Sequence, residues 1–168
     1  VVGAMLSLSR RIPQANSSMH SCKWEKSELG KSGIELFGKT LGVVGCGRIG
    51  QRTAEICRGL GMEVVGYDAN IQYVGEKFHA SDIKYKDIIS VMEEADFITI
   101  HTGGDKQIVG ENEIRKMKKT AFPINMSRGK NMDEEALYRA IVEKRIAGAA
   151  LDVHRGEPKG KVNTFDSK

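Results

Sequence analysis

Short apolar runs alternate along the chain with segments whose apolar residues recur at helical spacing. The runs predict six β-strands, and the periodic segments predict helices between them. The predicted strands are 40–44, 62–67, 83–85, 96–101, 121–125 and 146–153. Strands that alternate with helices indicate a parallel sheet with helices on both faces, connected by right-handed crossovers. Six such strands in two halves are typical of the Rossmann-type, doubly wound α/β fold.

The periodic segments predict helices at 1–15, 51–59, 86–95, 112–118 and 133–145. Pro13 disrupts the first of them, and 16–38 is expected to be a polar excursion over the surface in which Trp24 is a packing anchor. The predicted buried helix positions are Ile88, Ile89 and Met92, then Leu137, Ile141 and Val142. Pro123 conflicts with a central strand, because such a strand needs the N–H that proline lacks.

The stretch 41–68 carries the clearest functional signal. Gly45, Gly47 and Gly50 follow the first strand with the spacing G-x-G-x-x-G. The first glycine permits a tight turn, the second leaves room for a pyrophosphate, and the third lets the helix approach the sheet. Backbone N–H groups at the helix N-terminus then face the phosphates. With Asp68 ending the next strand about 20 residues on, the pattern favours dinucleotide binding over an ordinary tight turn.

Asp68 indicates which dinucleotide binds. A carboxylate at the end of the second strand accepts hydrogen bonds from the adenosine ribose and repels the 2′-phosphate of NADP. The sequence therefore predicts NAD, with a solvated strand-end acid as the alternative. Ligands of such sheets bind beyond the carboxyl ends of the strands. The residues expected to meet there are Gly45, Asp68, His101, Thr102, 125–128 and Asp152.

Composition changes this picture little. The 168 residues are enough for one domain with a sizeable core. The 26 basic and 22 acidic residues are mixed along the chain, so no nucleic-acid partner is expected, and no apolar run reaches the roughly 18 residues of a membrane span. Cys22, Cys46 and Cys57 lack the spacing of a metal site or disulfide framework. Cys46 is interpreted as a small filler, no metal is expected, and the cytoplasm is the default location.

Five segments resemble the NAD-binding domain of the D-isomer-specific 2-hydroxyacid dehydrogenases. They are SRRIPQANSSMHSCKWEK, GIELFGKTLGVVGCGRIGQ, ADFITIHT, INMSRGKNMDEEAL and IAGAALDVHRGEP. The resemblance implies an NAD-binding domain at 1–158, followed by a polar tail at 159–168. It also implies hydride transfer between NAD and a small 2-hydroxy acid. The family's substrate domain is absent from these residues, so a fragment with little or no turnover by itself is expected.

The resemblance also assigns roles to residues. Beyond the three glycines and Asp68, the cofactor set that it implies is Arg48 and Ile49 after the turn, Thr102 and Met126 along the cofactor channel, Arg128, and Asp152 at the nicotinamide carboxamide. Arg128 matches the substrate arginine, whose planar guanidinium grips a carboxylate and polarises the reacting carbonyl. Glu157 matches the catalytic glutamate, which raises the pKa of a histidine so that it donates a proton. That histidine belongs downstream of Glu157, and neither His101 nor His154 matches it.

Three departures from the family leave an alternative open. The loop after Thr102 reads GGDKQ instead of a longer proline-containing segment, Lys130 and Asn131 replace glycine and an aliphatic residue, and Pro123 interrupts its strand. A non-catalytic, NAD-sensing module of the corepressor type is therefore the second hypothesis, and the particular 2-hydroxy acid also stays open. The opening helix at 1–12 carries an apolar stripe without a partner lobe, which predicts a homodimer.

Overall fold

The computed structural model describes residues 1–72 and 83–157. Its strands are β1 (Thr40–Val44), β2 (Glu63–Tyr67), β3 (Lys84–Tyr85), β4 (Phe97–Ile100), β5 (Phe122–Asn125) and β6 (Ala150–Leu151). They form one parallel sheet in the order β3-β2-β1-β4-β5-β6. This is the doubly wound order of dinucleotide-binding folds, and it confirms the predicted fold class. The predicted tail at 159–168 lies outside the described residues.

Helices cover both faces of the sheet. They are α1 (Val2–Ser9), α2 (Ile12–His20), α3 (Lys26–Ser32), α4 (Arg48–Gly59), α5 (Ile88–Glu94), α6 (Glu111–Lys116) and α7 (Glu134–Val142). A short 3₁₀ helix, Gly129–Asn131, precedes α7. The Asp133 carboxylate accepts a hydrogen bond from the Ala136 N–H at 3.0 Å and so caps α7. No described helix is long and apolar enough to cross a membrane.

The sheet separates two apolar layers, because successive residues of a strand face opposite sides. Leu41 and Val43 of β1 pack in one layer with α1 and α4, while Val44 packs in the other with α5, α6 and α7. Phe97 and Phe122 stack in the first layer with ring centroids 5.3 Å apart. Burial of both faces explains why the strands are nearly continuous apolar runs.

The N-terminal region differs from its prediction. Pro13 lies in the first turn of α2 instead of ending a helix, because a first-turn residue has no intrahelical partner for the N–H that proline lacks. The predicted excursion contains most of α2 and the whole of α3. Trp24 is 76% exposed. The prediction that Trp24 anchors the packing is therefore wrong.

Helix α1 packs on the chain's own sheet. Met5 is fully buried in the first apolar layer, and Val1, Val2 and Leu8 pack around the same cluster. The apolar stripe that predicted a homodimer is thus largely covered within the chain, and its exposed members are Leu6 and Ile12. The reasoning behind the dimer is wrong, and the dimer itself stays a prediction.

Two other predicted faces differ in detail. In α7, Ala136, Leu137 and Ala140 are buried, whereas Ile141 and Val142 are exposed. In α5 the fully buried residues are Val91 and Met92, and Ile88 and Ile89 are only partly buried. Two of the three buried residues of α7 are alanines, because this helix lies close to the sheet. The predicted strand 146–153 contracts to the two residues of β6, since its alanines and glycine have low β propensity.

Pro123 is accommodated inside β5, between β4 and β6. The N–H of Phe122 faces β4, where it donates to the Asp96 carbonyl at 2.9 Å. The carbonyl of Asn125 faces β6, where it accepts from Asp152 at 3.0 Å. Because the facing alternates along a strand, the missing N–H of Pro123 faces β6. The two-residue length of β6 limits the loss there.

Candidate functional site

In the glycine turn after β1, two of the three glycines lie where a side chain would clash with the backbone. Gly45 has φ +94°, and a Cβ there would lie 2.7 Å from the His101 carbonyl carbon. A Cβ on Gly50 would lie 2.2 Å from the Gly45 oxygen. A Cβ on Gly47, in contrast, would meet no heavy atom within 4 Å. The first and third glycines therefore serve the packing, and the second leaves open space where α4 begins.

Asp68 closes this turn from the neighbouring strand. The Cys46 N–H donates to Asp68 Oδ2 at 2.7 Å, and the Asn70 N–H donates to Oδ1 at 2.9 Å. Each carboxylate oxygen has a second lone pair, so the acid retains acceptors for ribose hydroxyls. Asp68 thus holds the turn as well as standing at the predicted ribose position. The sequence pattern did not indicate this first role.

Cys46 is a packing residue within the turn. Its Sγ lies 3.6 Å from the carbonyl oxygens of Val43 and Tyr67. Burial, together with the negative charge of Asp68, raises the pKa of the Cys46 thiol to about 12. The thiol therefore stays protonated at neutral pH, which favours the predicted filler role over redox chemistry.

The first turn of α4 presents Arg48 and Ile49. Both side chains are exposed, Ile49 by 70%. They flank the open space at Gly47, where a bound diphosphate would meet the helix N-terminus. An exposed apolar side chain at this position is available to cover a ligand. The cofactor-binding roles of Arg48 and Ile49 stay predictions.

The end of β4 carries a neutral histidine and a hydroxyl without a partner. His101 Nε2 lies 3.0 Å from Thr99 Oγ1, and burial lowers the pKa of His101 to about 4. His101 is therefore uncharged at neutral pH and is a poor proton donor, in agreement with the sequence analysis. Thr102 Oγ1 is buried and has no hydrogen-bond partner among the described residues. An unsatisfied hydroxyl at this edge fits a polar group of a bound ligand.

A buried asparagine builds the turn that presents Arg128. Asn125 Nδ2 donates to the Arg128 carbonyl at 2.9 Å, and the Ser127 N–H donates to Asn125 Oδ1 at 3.1 Å. Arg128 itself is exposed and donates from Nη1 to the Ser127 carbonyl. The guanidinium thus keeps donors free for a carboxylate. Met126 lies on the α1 side of this turn, where its Sδ is 3.6 Å from the amino group of Val1.

The segment after β6 packs directly on the arginine turn. A Cβ on Gly129 would lie 2.1 Å from the His154 carbonyl carbon, so the two backbones are in contact. Glu157 Oε1 accepts from the His154 N–H at 2.6 Å and closes this segment on itself. Asp152 is exposed at the start of the segment. The structure therefore brings the segments of Arg128, Asp152 and Glu157 together at one edge of the sheet.

These features fit a dinucleotide. Open space lies at Gly47, an acid with free acceptor capacity stands at Asp68, and Thr102 offers an unpartnered hydroxyl. The glycine turn follows β1, Asp68 follows β2, and Thr102, Arg128 and Asp152 follow β4, β5 and β6. With the diphosphate on the glycine turn, the adenosine half lies over β2 and the other half over β4 to β6.

Comparison with known proteins agrees with this geometry. Residues 2–166 match the family described as D-isomer specific 2-hydroxyacid dehydrogenase, NAD binding domain. The chain is 42% identical over 161 residues to D-3-phosphoglycerate dehydrogenase of Methanocaldococcus jannaschii, with 94% of this chain and 30% of that enzyme aligned. It is 36% identical over 159 residues to glyoxylate reductase of Korarchaeum cryptofilum, with 92% and 47% aligned.

A solved structure gives the same result. The NAD complex of a D-isomer specific 2-hydroxyacid dehydrogenase from Lactobacillus delbrueckii ssp. bulgaricus has a TM-score of 0.81 to this chain at 32% identity, covering 98% of this chain and 50% of that one. The chain thus spans between about a third and a half of the proteins that it matches. It is the part that carries the glycine turn and binds NAD. The chain belongs to the D-isomer specific 2-hydroxyacid dehydrogenase family, as its NAD-binding domain.

Proposed function

We propose that this chain is the NAD-binding domain of a D-3-phosphoglycerate dehydrogenase, which transfers hydride between 3-phosphoglycerate or 3-phosphohydroxypyruvate and NAD in serine biosynthesis. The 42% identity to the Methanocaldococcus jannaschii enzyme supports this substrate. The likeness to a glyoxylate reductase makes glyoxylate or hydroxypyruvate the second candidate. The observation that carries the proposal is Arg128, exposed at the same carboxyl edge of the sheet as the glycine turn.

Each residue of the edge has a task in this proposal. NAD, when bound, supplies the nicotinamide carbon that exchanges hydride with the substrate. Gly47 and the N-terminus of α4 hold the diphosphate, and Asp68 holds the ribose. Thr102 and Asp152 orient the nicotinamide end. Arg128 grips the substrate carboxylate with its planar fork and so fixes the reacting carbonyl.

Proton transfer needs another group. His101 is neutral and hydrogen-bonded to Thr99, and Glu157 accepts from a backbone N–H. We therefore assign the acid–base histidine to a part of the complete enzyme outside these residues, with Glu157 as its partner. The 168 residues bind and orient, so we expect them to bind NADH without turning over 3-phosphohydroxypyruvate.

Replacing Asp68 by asparagine tests how the domain selects NAD. The amide oxygen of Asp68→Asn can still accept from the Cys46 N–H, which holds the glycine turn, whereas the bond from the exposed Asn70 N–H is lost. The charge that repels a 2′-phosphate is lost, together with a charge-assisted bond to the ribose. We expect NADH affinity to fall about tenfold and NADPH affinity to be unchanged or higher. Calorimetric titration of both cofactors measures the ratio.

Asp96→Asn is the matched control, because the Asp96 carboxylate likewise accepts from a backbone N–H, that of Thr40 at 2.9 Å, and precedes β4 at the opposite edge of the sheet. It should leave both affinities unchanged. Equal affinity of the unmodified chain for NADH and NADPH would remove Asp68 as the selective group. If the unmodified chain binds neither NADH nor NADPH, the functional proposal as a whole is contradicted.

A non-catalytic NAD-sensing module is the alternative that the sequence departures left open. It uses the same cofactor site, so binding to this chain does not separate it from an enzyme. The separating experiment is turnover of 3-phosphohydroxypyruvate or glyoxylate with NADH by the longer parent protein. Turnover supports the dehydrogenase, and NADH binding without turnover of either substrate supports the module.

A homodimer is proposed on a wider apolar surface than the stripe of the opening helix. Leu6, Ile12 and Met19 of α1 and α2, with Trp24 beyond them, are large exposed apolar side chains in one part of the sequence. Exposed apolar groups of this kind favour a protein surface. Light scattering of the chain at tens of micromolar should give twice the monomer mass, and a monomeric mass would contradict the proposal.

The cytoplasm is the proposed location. Cys22, Cys46 and Cys57 are all free thiols. Unpaired cysteines are typical of a reducing compartment. Fractionation of cells that produce the parent protein would test this assignment, and recovery in an oxidising compartment would contradict it.

A further inference from the structure

Asn131 is a fully buried polar residue that the proposed chemistry does not use. It ends the 3₁₀ helix Gly129–Asn131, three residues after Arg128. A buried amide is costly unless its donors and acceptor are satisfied. Its contacts therefore indicate why it is there.

The Asn131 side chain uses all its hydrogen-bonding groups on two loops. Its Nδ2 donates to the carbonyls of Gly104, at 3.1 Å, and Lys106, at 2.8 Å. Its Oδ1 lies 3.2 Å from the Ser127 hydroxyl, which also contacts the Thr102 carbonyl. One amide thus connects the loop after β4 with the turn that carries Arg128.

The loop after β4 depends on this amide. Gly103 and Gly104 have no side chains with which to anchor it, and Gly104 has φ +79°. Such a loop is held through its backbone carbonyls, which need a donor from elsewhere. The ion pair between Lys130 and Asp105, at 2.8 Å, is exposed and contributes little. Asn131 is therefore the main internal anchor.

We propose that Asn131 is a positioning residue that fixes the loop 102–107 against the arginine turn and so shapes the nicotinamide half of the NAD site. This inference rests on the proposed function. Thr102, whose hydroxyl has no partner among the described residues, begins the loop, and Ser127 precedes Arg128. The loop GGDKQ and the residue Asn131 are then a matched pair, in which the short loop supplies carbonyls and the amide supplies donors.

The test compares NADH with ADP-ribose, which has the adenosine diphosphate part but no nicotinamide. Asn131→Asp keeps the shape of the side chain but directs an oxygen at the two carbonyls, and Asn131→Leu removes the donors at similar volume. Both variants lose two hydrogen bonds to the loop, so we expect NADH affinity to fall about tenfold. ADP-ribose affinity should stay within about twofold, because its site lies over β1 and β2.

A second variant and a control keep the test decisive if Asn131 variants do not fold. Ser127→Ala removes only the hydroxyl between Asn131 and Thr102, and should weaken NADH binding about threefold without changing ADP-ribose binding. Lys130→Ala removes the exposed ion pair and should change neither. If the Asn131 variants lose affinity equally for NADH and ADP-ribose, or keep their NADH affinity, the role of Asn131 is overturned. If the unmodified chain binds neither ligand, the proposed function falls as well.

Discussion

Replacing Gly50 by alanine should destabilise the domain, whereas replacing Gly47 by alanine should leave it folded and weaken NADH binding. The Cβ of Gly50→Ala would lie 2.2 Å from the backbone oxygen of Gly45, which has no side-chain freedom to move aside. Overpacking of this kind costs about 1–3 kcal/mol of unfolding free energy. The Cβ of Gly47→Ala would enter open space and cost less than about 1 kcal/mol. That space is where the diphosphate approaches, so NADH affinity should fall at least tenfold, or about 1.4 kcal/mol.

Urea unfolding and NADH titration of the same variants measure the two effects separately. Gly59→Ala is the matched control, since Gly59 lies at the end of α4 and a Cβ there would meet no heavy atom within 4 Å. It should be neutral or stabilise by up to about 1 kcal/mol, because alanine favours a helix over glycine. Normal NADH binding by Gly47→Ala would remove the diphosphate from this turn. Normal stability of Gly50→Ala would contradict the close contact between helix and turn.

The contrast between these two glycines also explains why the turn was predictable. Two of the requirements behind the G-x-G-x-x-G pattern lie within the turn itself, because Gly50 packs on the Gly45 backbone and Gly47 leaves open space at the start of α4. The strands were predictable for a similar reason, because a strand buried on both faces is an apolar run. That they form one parallel sheet followed from their alternation with helices. The local sequence pattern was therefore enough to predict the sheet and the glycine turn.

Contacts between distant segments were not predictable in this way. Asp68 and Cys46 are 22 residues apart, and the bond between them shows that the acid proposed to bind the ribose also holds the turn. Asn131 contacts loop carbonyls 25 and 27 residues away. From the sequence alone, Asp68 is equally compatible with a solvated acid, and Asn131 with a surface amide. Only the folded chain shows which backbone groups they meet.

The predictions of which apolar side chains are buried failed for another reason. Trp24, Ile141 and Val142 are apolar but exposed, because folded proteins leave much apolar surface in contact with solvent. Ala136 and Ala140 are buried instead, since the close approach of α7 to the sheet favours small side chains. Hydrophobicity alone therefore misplaced these side chains, while the existence of the helix was predicted correctly.

Replacing Gly129 by alanine should separate the segments that carry Arg128 and Glu157. The added Cβ would lie 2.1 Å from the carbonyl carbon of His154 and 2.4 Å from the backbone nitrogen of Arg155. Backbone atoms cannot rotate away, so the segment after β6 must move. The hydrogen bond from the Arg155 N–H to the Glu134 carboxylate, at 2.8 Å, would be strained. We expect the unfolding free energy to fall by about 1–3 kcal/mol in urea titrations.

Gly156→Ala is the control within the same segment, because a Cβ there would meet no heavy atom within 4 Å. Its unfolding free energy should stay within about 0.5 kcal/mol of the original value. If Gly129→Ala is as stable as Gly156→Ala, the two backbones are not in contact and the edge of the sheet is not assembled as described. If only Gly129→Ala loses stability, the Gly129 contact joins the segment of Arg128 to that of Glu157, the residues proposed to bind the substrate carboxylate and to assist proton transfer.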